Sequence, residues 1–307
     1  MDFRLPDDVR QLGDAAARRF ARLGGVDLAR RAEADPAVRR EAADALRDLG
    51  TDDLDVRADE EQLLAGGALC RAAGAVALPW PLVGQLLRSG AHLLALVDER
   101  GLRVDHGDAA PSWIGADLDG RAWLLTDLAT PTTGKLGPFV RTGVLGEQIE
   151  PIAADDRARY LVLQAWTVLG ALEAVTADVV EHVRTRHQFG HALADFQVIR
   201  FSLADAAIAV RGLEQLTKLT SWRLGTGDAR GNLADAIALR LHASEVATNV
   251  LRVGHQFYGA LGFCDETDLS VIDRHLQPVL RYPLSAERMA QSLIPYVRDQ
   301  SFTSAIA

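Results

Sequence analysis

Cysteine is nearly absent. Cys70 and Cys264 are the only two in 307 residues, far apart and without metal-ligand spacing. This excludes a disulfide framework or a zinc module and leaves both thiols expected to be reduced and buried. Long apolar runs are missing as well: no stretch approaches the ~18 to 20 uninterrupted apolar residues of a membrane span. Positive charge is not in excess, since the formal net charge is −9, which argues against a dedicated nucleic-acid binder with its basic stripe. The opening Met1-Asp2-Phe3-Arg4 soon turns charged and does not read as a signal peptide, so a cytoplasmic location is expected. Between residues 93 and 153 there is no GxGxxG or Walker loop, so by motif this is neither a dinucleotide nor a P-loop domain.

What is present is ordinary globular material, 48% hydrophobic and 24% charged, with enough length for two or three domains or layers around a real core. Residues 1–92 read as an N-terminal helical domain. Asp7-Asp8 followed by Val9, Leu12, Ala16 and Phe20 gives an acidic first turn and an i, i+3, i+4 stripe. Gly24-Gly25 stops that helix, Asp35-Pro36 starts another, and Asp59 to Ala75 predicts a third. Residues 93–153 read as a small β domain of short apolar runs between turn residues, with Leu118-Asp119-Gly120-Arg121 suited to a type I′ hairpin. Residues 154–307 read as a C-terminal helical bundle. Its first helix carries Leu161, Ala165, Val168, Leu172, Val175, Val179 and Val183 at helical spacing. Its second runs roughly Phe196 to Leu224, with Ile199, Leu203, Ala207, Val210 and Leu213 on one face, and Gly225-Thr226-Gly227-Asp228 breaks it. Its third, Asn232 to Val253, carries Ile237, Leu241, Ser244, Thr248 and Leu251.

Two glycine-bearing stretches interrupt the bundle. In the first, Arg186 stands at a helix end where its planar fork can reach a phosphate. Gln188 offers amide donors and an acceptor, Phe189 a flat apolar surface, and Gly190 close backbone approach. The competing reading is a plain helix C-terminus with Gly190 at C′. The second stretch is His255-Gln256-Phe257-Tyr258-Gly259-Ala260-Leu261-Gly262-Phe263.

Arg186-His187-Gln188-Phe189-Gly190, then Leu193, Phe196-Gln197 and Leu203-Ala204-Asp205, resembles the R-x-Q-F-G, I/L-x-x-F-Q, L-A-D pattern of the acyl-CoA dehydrogenase family. Gln256 to Phe263 resembles that family's Q-x-x-G-G-x-G-F segment, with Ala260 in place of the second glycine. The resemblance is specific over residues 155–275. It implies a mainly α, acyl-CoA dehydrogenase-like fold: an N-terminal helical domain, a reduced β middle domain and a C-terminal four-helix bundle. It also implies FAD as cofactor and an acyl-CoA thioester as substrate, dehydrogenated at Cα and Cβ. Arg186, Gln188, Phe189, Gly190, Gln197, Gln256, Gly259 and Gly262 are thereby assigned to the ADP half of FAD, whose flavin in this family commonly lies in a neighbouring subunit.

The departures are equally informative. The family's base position, twenty residues beyond Phe263, falls on Pro283, and its alternative base position falls on Tyr160; neither is a carboxylate. A tyrosine with an ordinary pKa near 10 is a poor base at neutral pH. Asp265 and Glu266 are the nearest acids in sequence. The family's Gly-Ser-Asp run and Lys-x-Trp/Tyr-Ile-x-Asn strand are absent from residues 93–153, where Arg121-Ala122-Trp123-Leu124-Leu125-Thr126 is the closest remnant. The dispersed histidines show no metal spacing, and Ser221, Ser244 and Ser285 lie in no nucleophile elbow.

The expectation is a base-lacking subunit of a heteromeric, FAD-dependent acyl-CoA dehydrogenase, paired in an α2β2 assembly with a longer, catalytically complete chain. The alternatives are a homo-oligomeric member with a relocated base, for instance Glu266, or altered reaction, and a flavin-free helical scaffold. No nucleic-acid or membrane partner and no metal are expected.

Overall fold

The computed structural model describes residues 4–131, 137–225 and 229–298. Part of the expected break, Thr226-Gly227-Asp228, lies outside the described residues, as do Met1 to Phe3. The chain opens with helices α1 (Asp7–Arg22), α2 (Val26–Ala34), α3 (Arg39–Asp48), α4 (Glu60–Ala75) and α5 (Leu82–Leu86). Gly24 and Gly25, both at positive φ, separate the first two, as glycine readily does. Asp59 caps α4 by accepting from the Gln62 amide at 2.8 Å, the interaction that makes Asp a favoured N-cap.

Five strands follow: β1 (Leu93–Leu96), β2 (Arg103–Val104), β3 (Trp113–Ala116), β4 (Ala122–Ala129) and β5 (Arg141–Ile149). They form one sheet in the order β1-β3-β4-β5-β2, with β1 parallel to β3 and the other pairs antiparallel. The β3–β4 connection corrects the expected turn type. Gly120 has φ +100° but Asp119 is not in the positive-φ region, whereas type I′ needs two positive-φ residues. The Gly120 amide donates to the Asp117 carbonyl at 3.1 Å. The Asp117 carboxylate takes the Arg121 amide at 2.9 Å. That side-chain capture favours a tighter turn with a single glycine.

The bundle consists of α6 (Ala154–Thr185), α7 (Gln197–Arg223), α8 (Ala229–Tyr258) and α9 (Asp268–Arg281). A hairpin of β6 (His187–Gln188) and β7 (His191–Ala192) sits between α6 and α7, and α10 (Ala286–Ser292) and α11 (Ile294–Arg298) follow. Helix α6 is central, packing on α4, α7, α8 and α9, and every residue of its expected stripe is buried. Among the described residues it is the helix long and apolar enough to cross a membrane, yet 67% of its most apolar window is buried within the fold. Gly74 and Gly170 let α4 and α6 meet backbone to backbone. A Cβ on Gly170 would stand 1.8 Å from the Arg71 carbonyl oxygen, and one on Gly74 would stand 1.9 Å from that of Thr167.

The other two stripes need correction. On α7, Ile199, Val210 and Leu213 are buried but Ala207 is exposed and Ala206 buried in its place. On α8, Thr248 is exposed, Leu241 and Ser244 are half-buried, and the inner face also holds Arg240, Ala243 and Ala247. An arginine at a core position masks the apolar period. Arg240 can be there because it donates to Ser244 and to the Val279 carbonyl; burial pulls its pKa down to about 10. Cys70 is buried as expected, but Cys264 is partly exposed. It follows a short 3-10 turn, Gly259–Phe263, rather than a core helix.

Candidate functional site

The two glycine-bearing stretches meet. The end of α6 and the end of α8 lie side by side, and between them runs a groove of about 400 Å³. Arg186, Gln188, Gln256 and Gly259 line it, together with His182 and Tyr258. Tyr258 fastens the two ends. Its hydroxyl donates to the Asp178 carboxylate at 2.8 Å, and its ring stacks on His182 at 3.9 Å between centroids. Burial lowers the His182 pKa, so its imidazole is neutral at pH 7, and burial raises that of Asp178. Arg186 is therefore the groove's permanent cation.

The hairpin explains the local sequence. Arg186 ends α6 in an extended conformation, and the His187–Ala192 and Gln188–His191 pairs close a two-residue loop. Phe189 (φ +54°) and Gly190 (φ +80°) occupy it, the two positive-φ positions of a type I′ turn. Gly190 thus shapes a hairpin; the competing C′ reading does not hold. Phe189 is 87% exposed, at the tip and outside the groove. Gln197, also exposed, begins α7 and does not line the groove. Gly262 is buried, and a Cβ there would come within 2.9 Å of the Tyr258 Cβ, so its smallness lets the turn fold back under Tyr258. Gly259 (φ +60°) has open space in front of it. Of the eight assigned residues, four line the groove, two form the neighbouring hairpin tip, Gly262 supports it, and Gln197 lies apart. His182 and Tyr258 were missed: an isolated histidine and tyrosine carry no spacing signal until the helix ends are brought together.

The two base positions belong elsewhere. Tyr160 on α6 lines a cavity of about 110 Å³ between α4, α6, α9 and the sheet, and so does Tyr282, the neighbour of buried Pro283. Burial pushes the Tyr160 hydroxyl well above its ordinary pKa, which makes it a still poorer base. Asp265 and Glu266 are exposed and line neither space; Asp265 pairs with Arg274 at 2.8 Å. The cavity does hold a carboxylate that sequence reading overlooked, Asp105, just after β2. Burial raises its pKa to about 7. Ala122 to Thr126 is ordinary strand, with Trp123 buried and Arg121 just ahead of it. Ser221 accepts from the buried Trp166 indole at 3.1 Å and Ser285 caps α10, so neither is poised as a nucleophile. Among the described residues no cluster of His, Cys, Asp or Glu could hold a metal.

Comparison with known proteins gives this arrangement a family. The family model "Acyl-CoA dehydrogenase, C-terminal domain" matches residues 159–283. Residues 159–283 thus carry the C-terminal domain of the acyl-CoA dehydrogenase family. Over 109 residues it is 32% identical to the short-chain specific acyl-CoA dehydrogenase of Megasphaera elsdenii, covering 36% of this chain and 27% of that one. Over 117 residues it is 26% identical to the 3-sulfinopropanoyl-CoA desulfinase of Variovorax paradoxus, covering 38% and 28%. The match thus spans little more than a quarter of each of these relatives. Two solved structures share the acyl-CoA dehydrogenase fold across almost the whole chain. The ChsE4-ChsE5 complex from Mycobacterium tuberculosis superimposes with TM-score 0.75 at 16% identity, covering 97% of this chain and 99% of that one. The butyryl-CoA dehydrogenase from Megasphaera elsdenii does so with TM-score 0.72 at 20% identity, covering 97% and 100%.

Proposed function

We infer that the chain is a subunit of an FAD-dependent acyl-CoA dehydrogenase, an oxidoreductase acting on the Cα–Cβ bond of an acyl-CoA thioester, and that it lends the ADP half of the FAD site to a partner. One observation carries the reading. Arg186, Gln188, Gln256 and Gly259 share an outward-facing groove, while Tyr160 and Pro283 stand at the two base positions.

The donor set suits the ADP half of FAD. A guanidinium forks onto phosphate oxygens, two carboxamides serve a polar ring edge, and an open positive-φ glycine admits close approach. Phe189 offers its ring beside the groove. FAD, when bound, supplies the hydride acceptor; this chain's residues bind and orient it. A longer acyl-CoA dehydrogenase chain would supply the base. Helix α7 presents apolar surface for such a partner: Val198, Phe201 and Ile208 are 71%, 60% and 69% exposed, an unusual face for a helix left in water. The ChsE4-ChsE5 complex is itself an assembly of two different proteins, which supports a heteromeric reading.

The test is cofactor content. The purified chain is mixed, or produced together, with a longer acyl-CoA dehydrogenase chain from the same genome that carries a carboxylate base, and FAD per chain is measured before and after. The mixture should retain FAD and oxidise acyl-CoA, and the isolated chain should do neither. A yellow homo-oligomer that oxidises acyl-CoA at an ordinary rate would refute the proposal.

A further inference from the structure

The groove is short of positive charge for a diphosphate. Asn232 meets Asp155 at one end of α6 and Tyr258 meets Asp178 towards the other, so α6 and α8 run in the same direction and both end at the groove. Helix ends of this kind present carbonyls and the negative pole of the dipole, whereas anions ordinarily settle at helix N-termini. A diphosphate esterified at both ends carries a negative charge on each phosphate. Among the described residues that line the groove, Arg186 alone is a permanent cation.

His182 is the other base on that lining. It stands one turn after Asp178 and one turn before Arg186, so the three share one face of α6. Burial is the main influence keeping its imidazole neutral, and the Arg186 guanidinium adds to it; the Asp178 carboxylate and the Phe257 carbonyl pull the other way. Two further features suit an imidazolium. The ring lies in the last turn of α6, where the dipole favours a cation, and it stacks on the Tyr258 ring with 19° between planes, a contact that a cation strengthens. An anion resting on Arg186 would cancel the guanidinium's repulsion and add an attractive charge of its own. Both changes favour the protonated ring.

We propose that His182 is a ligand-gated cation of the groove: a diphosphate entering it is held by Arg186 and by His182, which takes up one proton from solvent as the ligand arrives. This rests on the flavin-groove reading and adds a binding residue to it. The neighbouring groups are otherwise engaged. On α8, burial keeps the Tyr258 hydroxyl protonated. From α9, Asp268 faces Asp178 and Tyr258 and pairs with Arg30 at 2.6 Å. In the hairpin, His187 is turned to the Thr185 carbonyl at 3.0 Å and His191 lies against Phe196. His255 is turned to Asp273 at 2.9 Å. With the ligand bound, His182 holds its proton to higher pH than without it. Affinity is therefore greatest below the ligand-free pKa and is lost as pH rises through the ligand-bound one, by up to about tenfold per pH unit between them.

The probe is ADP-ribose, which carries the ADP half of FAD as a diphosphate diester and does not itself titrate between pH 6 and pH 8. It is titrated into the full-length chain, alone and in its FAD-stripped assembly with the partner chain. Histidine ring resonances are followed by NMR, the His182 signal being the one lost in His182→Phe. Affinity and proton uptake are read by calorimetry in two buffers of different ionisation enthalpy. Affinity should rise severalfold from pH 8 to pH 6 with net proton uptake. The His182 signal should titrate at higher pH with ADP-ribose bound than without it, and that of His255 should not. His182→Phe, which keeps a ring on Tyr258, should abolish the uptake and flatten the pH dependence. ADP-ribose binding with the His182 titration unmoved, as when Asp178 takes the proton instead, would overturn this proposal and leave the flavin-groove reading standing. If ADP-ribose binds neither the chain nor the assembly, the groove reading falls and this proposal with it.

Discussion

Tyr258 donates its hydroxyl to Asp178 at 2.8 Å, which ties the end of α8 to α6 two turns before Arg186. The bond lowers the carboxylate's pKa against the larger opposing effect of burial. Tyr258→Phe should therefore cost about 1–2 kcal/mol in urea denaturation. The sign of its pH dependence follows. The ionised Asp178 loses its donor whereas the protonated acid loses little, so the deficit should be larger at pH 8 than at pH 5. No deficit at either pH would mean that the bond contributes nothing.

Arg186 is exposed on the lining of the groove. Arg186→Gln should leave thermal stability within about 0.5 kcal/mol of the unmodified chain. In the assembled, partner-bound protein it should weaken FAD by about tenfold or more, read by fluorescence of released flavin. Unchanged FAD retention would remove Arg186 from the cofactor site.

Gly170 faces the Arg71 carbonyl so closely that a methyl group cannot be accommodated without separating α4 from α6. Gly170→Ala should destabilise by roughly 3 kcal/mol or more, although alanine is the better helix former. A loss below about 1 kcal/mol would show that the helices do not cross there.

Asp105 sits in the opposite situation from a salt-bridged acid. Its pKa is raised to about 7 in the folded state against about 3.9 when unfolded. Between those values the folded state holds a proton that the unfolded chain has released, so this group's contribution to stability falls as pH rises from 4 to 7 and then levels off. Asp105→Asn removes that penalty. Its melting temperature relative to the unmodified protein should climb across that window and stay higher at pH 8, by an amount on the order of 1 kcal/mol or more. A difference independent of pH would show that Asp105 is ionised throughout.

The long helices were legible because the apolar period of α6 runs uninterrupted from Leu161 to Val183, and burial follows it residue for residue. The phase of α8 was not, because Arg240 occupies a core position that its hydrogen bonds to Ser244 and to the Val279 carbonyl of α9 make tolerable, and on α7 the expected stripe missed by one residue, Ala207 for the buried Ala206. The groove was half legible. Arg186, Gln188, Gln256 and Gly259 came from two local patterns, whereas His182 and Tyr258 belong to it through a contact between helices. Asp105 left no trace in the sequence, since a single acid after a two-residue strand looks like any loop residue. Its cavity draws on elements from α4 to α9, and nothing local announces such a meeting. The β1–β3 parallel pair was likewise hidden, because β2 intervenes in the chain yet lies at the far edge of the sheet.

Gly262, buried beneath Tyr258, has a consequence for how the groove works. With the turn folded under the ring and the ring anchored to α6, the groove's walls are set when the chain folds. A ligand arriving there has little backbone to immobilise, so its association should be fast and little of its interaction energy should go into ordering the protein. A bulkier residue at position 262 would move that ordering from folding to binding, and affinity would fall without the loss of a single contact residue.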